Sequence, residues 1–100
     1  MMYRNTRMIK CSEARQLVEA GAQLIDVRSA QEHAQGALPG SINRPLQTLQ
    51  AGVHQLDGEK PVIVYCASGM RSRQAADVLS MSGFHSVHDL GAWRNLVNCS

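Results

Sequence analysis

The run VIVYCASGMRSRQAADVL, Val62 to Leu79, limits the possible folds more than any other stretch of the chain. Val62 to Tyr65 form an uninterrupted apolar, β-favouring tract, the pattern of a strand buried on both faces. Such a strand belongs inside a parallel sheet with helices covering both sides. A short polar loop containing Gly69 then leads into Ala75, Val78 and Leu79 at helical spacing. The spacing predicts a helix from about Arg71 to Ser82, stopped by Gly83 in a C′ position.

The rest of the sequence repeats this alternation. A short strand is expected near Met8-Ile9, then a helix capped by Ser12 and running to about Ala20, where Gly21 ends it. Gln23 to Val27 reads as a second buried strand. Ser29 with Glu32 three residues on has the form of a capping box, so a short helix should begin there. Ala37 to Asn43 passes a Pro-Gly turn into a brief extended segment. Pro45 opens a helical turn carrying Leu46 and Leu49, and Asp57-Gly58 makes the turn before the Val62 strand. A last strand around Val87 to Leu90 precedes a helical turn with Trp93, Leu96 and Val97. The reading is an α/β protein: one domain over residues 1–100, a mostly parallel central sheet of about five strands, and helices on both faces. In such sheets ligands bind beyond the carboxyl ends of the strands. Cys66 stands at one of those ends.

Composition excludes several classes. With 44% hydrophobic and 18% charged residues, the chain has the make-up of a globular domain rather than a disordered one. A formal charge of +2 gives no reason to expect nucleic acid or membrane binding. No segment approaches the roughly 20 apolar residues of a membrane span, and the N-terminus lacks a signal-peptide apolar run. Cys11, Cys66 and Cys99 are far apart and form no CxxC pair, so neither a disulfide framework nor a structural metal site is expected. The expectation is a cytoplasmic protein with reduced cysteines, without metal or cofactor.

The segment from Cys66 to Arg71 carries the chemistry. It is too short to join strand to helix without curling its amides inward, and Gly69 permits the turn. Inward N–H groups and the open donors of a helix N-terminus make a cradle for an anion. Its natural occupant is the Cys66 sulfur as thiolate, the reactive form of cysteine. A cation in a first helical turn opposes the macrodipole. Arg71, with Arg73 behind it, is better explained by an anionic substrate across the loop mouth, which a guanidinium fork would match. Ser68 and Ser72 offer hydroxyl donors. The plainer alternative is an inert buried cysteine beside solvated arginines. Four residues separate Cys66 from Arg71, one fewer than in the cysteine phosphatases and arsenate reductases. The smaller loop favours one extra sulfur on the cysteine over a tetrahedral oxyanion.

Three stretches carry a resemblance: LIDVRSAQEHAQGALPGSIN (Leu24 to Asn43), VIVYCASGMRSRQAADVLSMSGF (Val62 to Phe84) and DLGAW (Asp89 to Trp93). In this order they resemble the single-domain rhodanese (thiosulfate sulfurtransferase) family. The resemblance implies a rhodanese-like three-layer fold, Cys66 as a persulfide carrier, and a persulfide held by the backbone N–H groups of Ala67, Ser68, Gly69, Met70 and Arg71. The implied partners are a small anionic sulfur donor such as thiosulfate and a thiol, cyanide or protein-thiol acceptor. A relay or sensing module serving a protein partner is the second reading, and a phosphatase or arsenate reductase the third. Asp26 and Arg28, two apart at a strand end, leave on one side and are read as supporting residues joined by charge-assisted hydrogen bonds. Ser72 and Arg73 complete the supporting set. Glu32 is assigned to the capping box, and His33, His54, His85 and His88 to surface or satisfied structural roles. His33 stands where the family usually has an aromatic, and Ala37-Leu38 where it has His-Ile. These changes, with the short connection from Asn43 to Pro61, suggest an open site with an exposed persulfide.

Overall fold

The computed structural model describes residues 6–93. Five strands, β1 (Thr6–Met8), β2 (Gln23–Asp26), β3 (Ile42–Asn43), β4 (Val62–Cys66) and β5 (Val87–Ala92), form one parallel sheet in the order β1-β5-β4-β2-β3. The connecting helices are α1 (Cys11–Glu19), α2 (Ala30–Gln35), α3 (Leu46–Gly52) and α4 (Met70–Met81), and a 3₁₀ turn, Val53–Gln55, follows α3. The expected architecture is therefore present.

β4 is buried at every position because neighbouring strands flank it and helices lie above and below. Its period-two alternation divides the core. Val62, Val64 and Cys66 face α3 and α4, meeting Leu49, Ala75 and Leu79. Ile63 and Tyr65 face the other way, where α1 covers them with Ala14, Leu17 and Val18.

Local sequence sets most boundaries. The Ser29–Glu32 capping box forms as expected, with Glu32 N–H donating to Ser29 Oγ and Ser29 N–H to Glu32 Oε1. α1 begins earlier than the Ser12 cap implied: Lys10 precedes the first turn and its N–H donates to the Glu13 carboxylate. β5 runs on through Ala92 rather than ending at Leu90. A register shift places Asp89 opposite Val64 but Gly91 opposite Tyr65, so Leu90 is the extra residue of a bulge. Gly91, at φ +87°, supplies the backbone conformation the bulge needs. The expected helical turn at Leu96 and Val97 lies outside the described residues.

Cys11 is disulfide-bonded, contrary to the expectation of reduced cysteines. Sequence spacing says nothing about which Cα atoms approach closely enough to bridge. Cys99 lies outside the described residues. Among the described residues no helix is long and apolar enough to cross a membrane.

Candidate active site

Cys66 ends β4 on the α4 side of the sheet, and it is a free cysteine with 0% exposure. The thiol itself is therefore buried within its loop. The chain turns through Gly69 at φ +98°, which lets α4 start at Met70 with its N-terminus directed back at the sulfur. Cys66 Sγ accepts the Gly69 N–H at 2.9 Å and the Ser72 N–H at 3.2 Å. Met70, Arg71 and Ser72 occupy the first helical positions, whose N–H groups have no intrahelical acceptor. The first turn closes only when Arg73 N–H reaches Gly69 O.

Side-chain roles differ from the sequence reading. Ser72 is buried and its hydroxyl donates inward to Gly69 O at 3.1 Å, so its amide, not its hydroxyl, meets the sulfur. Ser68 and Arg73 are exposed, and Met70 is 72% exposed, contributing backbone to the loop while its side chain faces solvent. Ala67 is half-buried beside Cys66.

Arg71 is tied to α2. Its Nη1 and Nη2 donate to Glu32 Oε1 and Oε2 at 2.8 and 3.0 Å. Those two hydrogen bonds from Arg71, with the Ser29 N–H adding to them, lower the Glu32 carboxyl to about 2. Glu32 thus caps its own helix and clamps the Cys66 loop, a role sequence reasoning missed. Separated by 39 positions, the two residues carry no local signal.

A second polar cluster occupies the opposite face of the sheet. Asp26 and Arg28 leave on one side as expected and form a fully buried forked pair, Nη2 to Oδ2 at 2.8 Å and Nε to Oδ1 at 3.0 Å. His33 Nδ1 lies 2.8 Å from the same Oδ2. Burial alone would push the Asp26 carboxyl up, but the hydrogen bonds from Arg28 and His33 outweigh it and hold the carboxyl below its ordinary range. Arg28 also donates to Gly36 O at 2.6 Å and stacks 4.5 Å from the Trp93 ring centroid. Tyr65 Oη, on the same face, accepts the Leu38 N–H and pairs with Ser41 Oγ, each at 3.0 Å. The cluster holds the segment from α2 to β3 against the sheet. Asp26 and Arg28 therefore position the chain around the loop and do not reach Cys66. Among the described residues no group of His, Cys, Asp and Glu is placed to hold a metal ion.

A free cysteine at the carboxyl end of a central parallel strand, its sulfur accepting amide N–H groups where the following helix begins, defines a class of three-layer α/β proteins with a cysteine loop at the strand ends. Comparison with known proteins narrows the class. The chain belongs to the rhodanese-like domain family, whose model matches residues 10–98. It is 38% identical over 69 residues to the uncharacterized protein YqhL of Bacillus subtilis, covering 69% of this chain and 55% of that one. It is 33% identical over 88 residues to thiosulfate sulfurtransferase GlpE of Pseudomonas paraeruginosa, covering 84% of this chain and 80% of GlpE. The structure of the human single-domain sulfurtransferase TSTD1 superposes with a TM-score of 0.85 at 26% identity, over 93% of this chain and 96% of that one.

Proposed function

We propose that this protein is a sulfurtransferase that carries a sulfane sulfur on Cys66. The observation that carries the reading is the pair of amides, from Gly69 and Ser72, directed at a free cysteine sulfur. The thiolate is the nucleophilic form, and amide donors suit an anion. Cys66 attacks the outer sulfur of a donor such as thiosulfate. The new S–S bond forms as the donor's S–S bond breaks, and sulfite leaves with the electron pair. An acceptor then attacks the terminal sulfur: cyanide leaves as thiocyanate, a thiolate as its persulfide, and Cys66 returns as thiolate. This is covalent catalysis in two half-reactions. The N–H groups of Ala67, Ser68, Met70 and Arg71 hold the terminal sulfur while those of Gly69 and Ser72 hold Sγ. The relatives named as sulfurtransferases support this assignment.

Arg71 has a smaller role in this scheme than a free cation would. Glu32 engages two of its five guanidinium donors, leaving the rest for the donor anion. Arg71→Ala should raise KM for thiosulfate more than for an uncharged donor, and equal effects on both would remove the steering role. The central test is intact-mass spectrometry after incubation with thiosulfate. Wild type gains one sulfur and releases sulfite, and Cys66→Ser does neither while keeping its circular-dichroism spectrum. Release of phosphate from an aryl phosphate without sulfur loading would replace this reading with that of a phosphatase.

A further inference from the structure

α2 is attached to the rest of the protein through few groups. Of its six residues, Ala30, Gln31, Ala34 and Gln35 are exposed, and only Glu32 and His33 are half-buried. So short a helix does not hold itself together in water, and this one has no apolar face to bury. Between its two ends, its placement depends on two consecutive side chains that turn inward.

Glu32 and His33 lie about 100° apart around the helix axis, so they reach different elements. Glu32 takes the fork of Arg71, in the first turn of α4, at 2.8 and 3.0 Å. His33 reaches back to Asp26, the last residue of β2, where its Nδ1 lies 2.8 Å from Oδ2. Asp26 is fully buried, gripped by the Arg28 fork and kept below its ordinary titration range, so it offers only lone pairs. The hydrogen of the His33–Asp26 bond therefore sits on Nδ1, whichever state Nε2 is in. At the far end of this chain of contacts, Arg71 lies between the two residues whose amides meet Cys66 Sγ, Gly69 and Ser72. Its guanidinium is held charged first by Glu32, and the Cys66 sulfur and the Asp26 carboxylate both add to that, so the cation stands near both.

Resting on the sulfurtransferase reading, we propose that His33 is a positioning residue for the sulfur donor: bound to buried Asp26, it fixes α2 where Glu32 meets the Arg71 fork, and so sets where the remaining Arg71 N–H groups point. His33 touches no reacting atom and acts through Glu32 and Arg71. A donor anion then meets a guanidinium already in place and does not have to order it. Arg28 secures the end of the same helix by donating to Gly36 O, so loss of His33 loosens α2 without releasing it.

Three substitutions carry the test. His33→Ala removes the tie, His33→Asn keeps an N–H donor in its place, and Arg71→Ala removes the far end of the relay. The fold should survive His33→Ala, because Asp26 keeps its Arg28 fork. The first readout needs no turnover. Carboxyl NMR titration of the full chain should find Glu32 at about 2 in wild type and in His33→Asn, and moved up towards 4.5 in His33→Ala, where its hold on Arg71 slackens. The second readout is thiosulfate–cyanide turnover. His33→Ala should raise KM for thiosulfate about threefold, as the loss of one modest hydrogen bond would, with kcat moved less, and His33→Asn should restore it. In the Arg71→Ala background the same substitution should leave KM where it was. A Glu32 titration unaltered by His33→Ala, or an equal rise in KM with and without Arg71, would overturn the relay. A wild type that takes no sulfur from thiosulfate would defeat the transferase reading instead, and the Glu32 titration would still decide the role of His33.

Discussion

Replacing Glu32 with glutamine isolates the charge that clamps the active loop to α2. Glutamine retains the shape and can still serve the N3 position of a capping box, so the helix start survives and the ion pair does not. A carboxyl held at about 2 instead of 4.5 would contribute roughly 3 kcal/mol at neutral pH if nothing screened it. Screening is substantial, because the Arg71 and Glu32 side chains are 36% and 33% exposed. Exposed pairs are worth at most about 1 kcal/mol, and the forked geometry places this one near that limit. A loss of about 1 kcal/mol in a protein of this size lowers Tm by roughly 4–8 °C at pH 7. The pH dependence then identifies the cause. The Glu32 pKa is depressed on folding, so its contribution is complete above 4.5 and disappears as pH falls through about 2. Thermal melts of wild type and Glu32→Gln should differ fully from pH 7 to pH 5 and converge towards pH 2.5. A gap that stays constant down to pH 2.5 would mean that Glu32 acts through packing or capping, and the clamp reasoning would be wrong.

Two further substitutions probe the scaffold. Gly69→Ala forces a side chain into φ +98°, where strain of about 1–2 kcal/mol is expected. Thermal melts should register that loss, and sulfur loading should fall because the turn places the Gly69 amide on Sγ; unchanged loading would detach the cradle from this backbone geometry. Tyr65→Phe removes the hydroxyl that joins Leu38 N–H and Ser41, with an expected loss of about 1–2 kcal/mol in urea titrations. It should leave sulfur loading intact, since Tyr65 and Cys66 face opposite sides of the sheet, and lost loading at full stability would contradict that separation.

What sequence could show divides along contact range. The Ser29 capping box, the buried β4 tract and the shared side of Asp26 and Arg28 follow from spacings of two to five residues, and all three appear in the structure. The clamp between Glu32 and Arg71 and the Tyr65 bond to Leu38 join residues 39 and 27 positions apart, and only the folded sheet brings them together. The bulge at Leu90 was hidden for another reason. Gly91 looks like the end of a strand, whereas its positive φ lets the strand continue with one residue displaced. The Ser72 case is subtler: a hydroxyl near Cys66 suggests a donor to substrate, yet it is the amide of the same residue that meets the sulfur.

The concealment of the Cys66 side chain has a consequence for timing. Empty, Cys66 shows passing molecules almost nothing; on the proposed sulfurtransferase reading, a loaded sulfur would stand about 2 Å beyond Sγ. On that reading, collisions with an acceptor would count only when there is something to deliver. Turnover on such a carrier would be paced by arrivals and departures, and an idle thiol would be sheltered from oxidants in the meantime.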